Sequence, residues 1–290
     1  MKKKVVIRLQ GGLGNQLHQY AFGLLLAKKI GAALYIDKEF LTHHSKKLNI
    51  TLRDLEINKF KIKGNFYKSF LSQQIVLSVL KRLQLNTIFK FFSINIISHH
   101  VPLKGLANDN VNFYYLDGIM GDISDYTSES DYLFENLQIN DDYSPLENLA
   151  KGKVTEGSAV AIHIRRTDYL KADSIHHVLD MEYYSKAIQL IESKVSKPHY
   201  YVFSDDSAFV KDNFSGADYT ILNYRDNDAA FFDFLAIKNC QHYIIGNSTF
   251  SWWAAYLGSK SNTYTIAPSV CLTIQDLNLE MTYPKDWIVI

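Results

Sequence analysis

The chain has 290 residues, 47% of them hydrophobic, and its 31 Lys+Arg against 30 Asp+Glu give a formal net charge of +1. That excludes a disordered tail, which needs low hydrophobicity and a large charge imbalance, and at roughly 100–200 residues per domain it fits one large domain or two medium ones. Two cysteines, Cys240 and Cys271, exclude a disulfide framework, disfavour a Cys-rich zinc site and point to a reducing compartment.

The charge is unevenly spread. No acidic residue lies between Glu56 and Asp109, whereas Lys59, Lys61, Lys63, Lys68, Lys81, Arg82, Lys90 and Lys104 do, so residues 57–108 carry +8 and the rest −7. The start, Met1-Lys2-Lys3-Lys4 and a short run containing Arg8, is too short and polar for a signal-peptide core. Lys81, Arg82 and Lys90 break the most apolar stretch before it reaches the roughly 18 residues of a spanning helix. A soluble, cytoplasmic protein is the expectation.

In chain order, Val5-Val6-Ile7-Arg8-Leu9 reads as a strand, Gly11-Gly12-Leu13-Gly14-Asn15 as a turn, 16–30 as a helix with apolar residues at helical spacing, and 33–36 as a second strand. Signals weaken to about residue 142, with mixed helices and a strand at 113–116. A Gly/Lys/Glu-rich stretch at 149–158 is the candidate domain boundary, giving domains 1–150 and 151–290. Beyond it, strands at 159–164, 199–203, 219–222, 242–245 and 263–267 alternate with helices near 182–193, 228–239 and 249–257. Such alternation implies a parallel sheet with helices on both faces.

Ligands of an open parallel sheet bind beyond the carboxyl ends of its strands. After the first strand comes the glycine turn, which has Leu17 where a dinucleotide fingerprint needs its third glycine and lacks a P-loop Lys-Ser/Thr pair. It is either a tight turn or a place where backbone N–H groups approach a ligand. After 159–164 comes Arg165-Arg166-Thr167-Asp168, with His163 and Arg165 on one face and Ile164 and Arg166 on the other. One arginine can reach a ligand while the other is held elsewhere. A guanidinium fork matches two phosphate oxygens. Ser204-Asp205-Asp206 follows the next strand. Asn247-Ser248-Thr249-Phe250-Ser251 opens an aromatic helix, where helix capping and anion binding are both readings. Asp226-Asn227-Asp228 has the form of a metal-diphosphate site but precedes a helix, so capping is the better reading. The pairs His43-His44, His99-His100 and His176-His177 lack metal-ligand spacing.

Together these strings resemble glycosyltransferase family 11, the α-1,2-fucosyltransferases, and more distantly the α-1,6- and protein O-fucosyltransferases. The carriers are Gly11 to Gln16, His163 to Asp168, Tyr201 to Asp206, Asp233-Phe234-Leu235, and Asn247 to Leu257, in the family's order. The resemblance implies an α/β fold of GT-B type, with two Rossmann-like domains facing a central cleft. It implies transfer of L-fucose with inversion from GDP-β-L-fucose to a galactose-terminated glycan, in O-antigen or related surface-glycan synthesis, with no metal. By position, Arg165 would grip the diphosphate, with His163, Arg166, Ser204, Asp205 and the turn Asn247, Ser248, Thr249, Phe250 and Ser251 beside it. Asp233 would face guanine or ribose. Gly12, Leu13, Gly14 and Asn15 would close over the fucose and diphosphate from the first domain. Asp168, in the motif, and Asp173 are the candidate general bases. His18, Thr167 and the string Gly118-Ile119-Met120-Gly121-Asp122 depart from common family patterns, and the last bears on acceptor specificity.

Rival readings are a fucosyltransferase of another linkage, a non-catalytic glycan-binding protein and a dinucleotide oxidoreductase. The arginine pair argues against a lectin for neutral sugars and the missing glycine against the oxidoreductase. The basic segment 57–108 is interleaved with Phe, Leu and Ile, which disfavours nucleic acid. It reads as amphipathic helices at 70–85 and 88–97, either a solvated face or a peripheral contact with the inner membrane.

Overall fold

The computed structural model describes residues 2–43, 54–68, 93–97, 101–106, 110–118, 122–155, 158–167, 169–170, 177–222, 224, 226, 228–270 and 283–290. The chain forms two compact units, Met1–Asp141 and Asp142–Ile290.

In the first unit, strand β1 (Lys4–Arg8) buries Val5, Val6 and Ile7 completely. A run of β-branched residues with no polar alternation suits a parallel strand covered on both faces. Helix α1 (Leu13–Ile30) returns across it and stops at Gly31, whose left-handed backbone (φ 64°) lets its N–H cap the carbonyls of Ala27 and Lys28. Gly23 lets α1 lie close on the sheet, because a Cβ there would stand 2.1 Å from Ile7 Cγ2. Strand β2 (Ala33–Asp37), short helix α2 (Glu39–His43), β3 (Asn65–Phe66), β4 (Ile94–Ile97) and β5 (Phe113–Leu116) follow, then helices α3 (Ile123–Ser128) and α4 (Ser130–Asn136). The sheet is parallel, in the order β3-β2-β1-β5-β4.

Strand β4 corrects the helix expected over 88–97: Ile94–Ile97 pairs with β5 from Ile94↔Phe113 to Ile97↔Leu116. An open edge of parallel sheet captures a short β-branched run more readily than helical spacing can hold it. The helix expected over 70–85, with Lys81 and Arg82, lies outside the described residues, as does Lys90 of the second. Elsewhere in the basic segment, Lys59, Lys61 and Lys68 pair with Glu56, Asp141 and Glu39 at 3.7, 2.6 and 3.1 Å. Part of the +8 is thus balanced within this unit.

The second unit opens with helix α5 (Ser144–Lys153), so its boundary falls between Asp141 and Asp142 instead of at 150/151. The last turn of α5 contains Lys151 and Lys153, whose charge imitates a linker, while the helix packs on the unit that follows. Tyr143 meets Phe231 edge-on at 5.1 Å and Glu147 accepts a 2.8 Å hydrogen bond from Lys238. Then come β6 (Ser158–Ile164), α6 (Met181–Glu192), β7 (Pro198–Ser204), α7 (Ser207–Asn213), β8 (Tyr219–Ile221), α8 (Ala229–Asn239), β9 (His242–Ile244), α9 (Thr249–Gly258), β10 (Thr265–Ala267) and β11 (Ile288–Val289). All pairs are parallel, in the order β11-β10-β9-β6-β7-β8. Counted from β6, this is the doubly wound order, which reverses between β6 and β9. The core fills one face with Val160, Ile162, Ile164, Tyr184, Ile191, Val202 and Ile244. No helix among the described residues is long and apolar enough to cross a membrane.

Candidate active site

Where strand order reverses, the loops leaving neighbouring strands part in opposite directions and open a crevice at the carboxyl edge. In the second unit that place is the mouth of β6 and β9. Strand alternation carries past the end of β6. Ile164 enters the core, and Arg166 on the same face is fully engaged by the fold: Nε bonds Asp206 Oδ2 at 3.3 Å, Nη1 bonds the Leu179 carbonyl at 3.4 Å, and the guanidinium lies 3.9 Å from the Phe209 ring centre. On the other face Arg165 pairs through Nη1 with Asp205 Oδ2 at 3.3 Å and keeps 27% of its side chain exposed.

Asp205 organises this turn. It accepts the Arg166 backbone N–H at 2.9 Å and the Thr167 hydroxyl at 2.7 Å as well as the Arg165 pairing. Thr167, a departure from the family pattern, therefore has a bonding role here that glycine could not fill. Ser204 Oγ accepts the Asp206 N–H at 2.9 Å and shapes the next turn. Asp168 and Asp173 lie outside the described residues.

Across the mouth, Gly246 brings the β9–α9 turn against β6, because a Cβ there would stand 3.2 Å from the His163 carbonyl. Asn247 is fixed at both ends, donating from Nδ2 to the His177 carbonyl at 2.7 Å while its own carbonyl accepts the Tyr169 hydroxyl at 3.2 Å. Ser248 caps α9 by accepting the Phe250 N–H at 3.3 Å, and Ser251 Oγ donates back to the Ser248 carbonyl at 3.2 Å. The first turn of α9 contains no acidic residue. Thr249 is half-buried beside it. The Phe250 ring lies between His163 (5.5 Å) and Phe234 (5.4 Å).

His163 is 7% exposed, and burial, reinforced by the Arg165 charge against the opposing Asp205, lowers its pKa to about 4. It is a neutral imidazole at neutral pH, and its buried Nδ1 has no hydrogen-bond partner among the described residues. Asp233, on α8 next to Phe234, is pushed up to about 7 by burial. A carboxyl this close to neutrality can change its proton on binding a ligand.

The glycine turn belongs to the first unit. Gly11 has φ 77°, and a Cβ on it would strike Asn15 Nδ2 at 2.4 Å. Gly12 is the N-cap of α1, Leu13 and Gly14 begin the helix, and the Leu13 N–H donates to Glu56 Oε2 at 2.8 Å. Gln16, fully buried, donates to the carbonyls of Gly11 (2.9 Å) and Asp54 (2.8 Å) and accepts from the N–H groups of Glu56 (2.9 Å) and Ile57 (3.0 Å). His18 bonds the Gly14 carbonyl through Nδ1 at 3.1 Å, and burial lowers its pKa to about 4.

Thus His163, Arg165, Arg166, Ser204, Asp205 and Asn247 to Ser251 gather at the carboxyl edge of one sheet, with Asp233 on its α8 helix, while in the other unit only Gly11 and Gly12 form the turn and Leu13 to Asn15, expected in it, already belong to α1. The sequence strings include Gln16 and Asp206 but give neither a role of its own, and they miss Glu56, which enters only as the border of the basic segment.

Asp228 stands at the N-cap position of α8, yet its side chain makes no capping bond, which corrects the capping reading of Asp226-Asn227-Asp228. Asn227 lies outside the described residues. Asp226 and Asp228, with Asp142, Tyr143, Pro145, Leu146, Leu149 and Tyr224, line an open cavity of about 470 Å³. Among the described residues no three His, Cys, Asp or Glu side chains are grouped to hold a metal ion.

The profile of "Glycosyl transferase family 11" matches residues 1–290. The O-antigen biosynthesis glycosyltransferase WbnK of Escherichia coli is 30% identical over 281 residues, covering 90% of this chain and 92% of its own. An alpha-1,2-colitosyltransferase of the same organism is 26% identical over 296 residues, covering 98% of each. Among solved structures, NodZ alpha-1,6-fucosyltransferase soaked with GDP-fucose superposes with a TM-score of 0.55 at 13% identity, covering 89% of this chain and 93% of its own, and shows the shared α/β, GT-B-like fold. The chain belongs to glycosyltransferase family 11.

Proposed function

We propose that this glycosyltransferase moves L-fucose, with inversion, from GDP-β-L-fucose to the 2-hydroxyl of a terminal β-galactoside, in O-antigen or a related surface glycan. The observation that carries the reading is the mouth of β6 and β9, where Arg165 stands beside a helix N-terminus whose first turn has no acidic residue. A WbnK relative named for O-antigen biosynthesis supports the setting, and a structural neighbour soaked with GDP-fucose supports the donor.

In this reaction the acceptor oxygen attacks fucose C1 as the bond from C1 to the diphosphate oxygen breaks. Negative charge grows on the departing GDP, so its stabilisation is the larger task. Arg165 can meet two diphosphate oxygens with one planar fork, and the α9 N-terminus adds N–H groups and a positive dipole end. His163, neutral, can exchange a hydrogen bond but brings no charge. Arginine and helix together do what a divalent cation would do, so the reading assigns no metal. Asp168 is the proposed general base, and 57–108 the proposed peripheral membrane contact of a cytoplasmic enzyme.

The test is incubation with GDP-fucose and a panel of β-galactosides, including lipid-linked oligosaccharides, with linkage analysis. An α-1,2-fucosylated galactoside is expected, with activity retained in EDTA. No transfer to any β-galactoside overturns the reading. A colitosyl donor is the second reading, favoured by the colitosyltransferase that matches 98% of this chain, and product from that donor alone would select it.

A further inference from the structure

Helix α1 begins in a way its own sequence does not prepare. Gly12, the N-cap, has no side chain to offer, and the first turn has no acidic residue. Eighteen aligned peptide units nevertheless leave about half a positive charge at that end. Glu56, 43 residues along the chain, supplies the missing anion through its 2.8 Å bond from the Leu13 N–H.

The carboxylate is delivered by a closed ring of hydrogen bonds. Gln16 uses both its donors and both its acceptors, binding Gly11 on one side and the backbone of residues 54–57 on the other, including the Glu56 N–H itself. The motif glutamine thus grips the backbone of the residue whose side chain returns to the start of the motif. A Cβ on Gly12 would stand 3.8 Å from Glu56 Oε2, so the carboxylate lies against the loop. Its other oxygen is 3.7 Å from Lys59, and 21% of the side chain stays exposed.

A diphosphate approaching this helix end would meet a tethered carboxylate already in the anion's place. Like charge repels it, and the tether gives Glu56 the advantage of high local concentration. We propose that Glu56 is a positioning residue for fucosyl transfer. By occupying the α1 N-terminus it fixes the glycine turn and closes that helix end to the diphosphate. This rests on the fucosyltransferase reading, and it narrows the expectation that Gly12 to Asn15 contact both fucose and diphosphate.

Two variants of the full chain test it. In Glu56→Ala the helix end is vacated and a small carboxylate can enter. Its Tm is expected to fall by about 3 °C and to recover saturably with formate but not with chloride at equal ionic strength, while the parent protein does not respond to formate. Its kcat/KM with GDP-fucose is expected to fall about tenfold, mostly in kcat, and to recover with formate over the same range. Glu56→Gln keeps the shape and an acceptor for Leu13 but loses the charge, and inorganic pyrophosphate should inhibit it several-fold more tightly than the parent. Parent-like Tm, kcat/KM and pyrophosphate inhibition in both variants overturn the proposal, as does a loss in Glu56→Ala that formate leaves untouched. If the parent transfers no fucose, the functional reading fails instead, and the formate effect on Tm still decides whether Glu56 closes the helix.

Discussion

The N-termini of α1 and α9 follow one local pattern: a parallel strand, a glycine turn, then a helix without an acidic first turn. Their electrostatics are opposite. At α1 a carboxylate from 43 residues away bonds the first helical N–H, while at α9 the cap is the neutral Ser248 hydroxyl and Arg165 follows the neighbouring strand. A glycine turn before a helix thus creates a capacity for anions and no more. The rest of the fold decides whether that capacity is used up internally or offered outward.

The largest expected effect separates Arg165 from its neighbour. Arg165→Lys keeps the charge but loses the planar fork, and turnover with GDP-fucose should drop by about a hundredfold or more with Tm nearly unchanged. Arg166→Ala should do the reverse, losing about 1–3 kcal/mol in urea unfolding because Asp206, the Leu179 carbonyl and Phe209 lose their partner. Equal loss of turnover at constant stability from both would erase the distinction between a ligand-facing and a fold-facing arginine.

Next in size is Ser248→Ala, which should cost about 1 kcal/mol of stability as a lost cap and leave pyrophosphate inhibition tighter than that of an Arg165 variant. Asp233 offers a subtler probe. If its carboxylate meets guanine or ribose, GDP affinity should rise as pH climbs through about 7, and calorimetry on Asp233→Asn should find no such dependence.

The smallest effects are on stability against pH. His163 and His18 resist protonation down to about 4 in the folded chain but accept a proton near 6.5 when unfolded, so their contribution is lost as pH falls from 6.5 to 4. Asp233 acts in the other direction: its folded pKa of about 7 lies above the ordinary 3.8, so stability falls as pH rises across that interval. Between pH 4.5 and 6.5, His163→Asn should flatten the rise of stability with pH and Asp233→Asn should steepen it. A parent-like slope in either would show that the group titrates normally.

Much of the second unit was legible because its central strands are buried on both faces. The run from Ala159 to Ile164 has no polar alternation to confuse it, and β6 spans Ser158–Ile164. The split of Arg165 from Arg166 followed from strand period alone. By contrast, β4 is four residues inside an apolar basic run, and only the open edge of β5 makes it a strand. The end of helix α5 imitates a domain boundary because Lys151, Gly152 and Lys153 close it. Glu56 gives no signal, and Asp206, though inside a motif string, gives none of its partner, since a contact 40 or so residues away leaves no periodicity in the chain.

The strand order has a consequence for the timing of assembly. The ring joining Gly11, Gln16 and Glu56 needs nothing beyond Ile57, so it can close while most of the polypeptide is still unmade. The crevice beside β6 cannot. Its second wall is β9, whose His242–Ile244 pairs with Val160 to Ile162 about 80 residues upstream, and such distant parallel pairing is slow. A ribosome halted before His242 would display a finished α1 N-terminus and no paired β6 and β9, so the mouth proposed for the donor forms only after His242–Ile244 has been made.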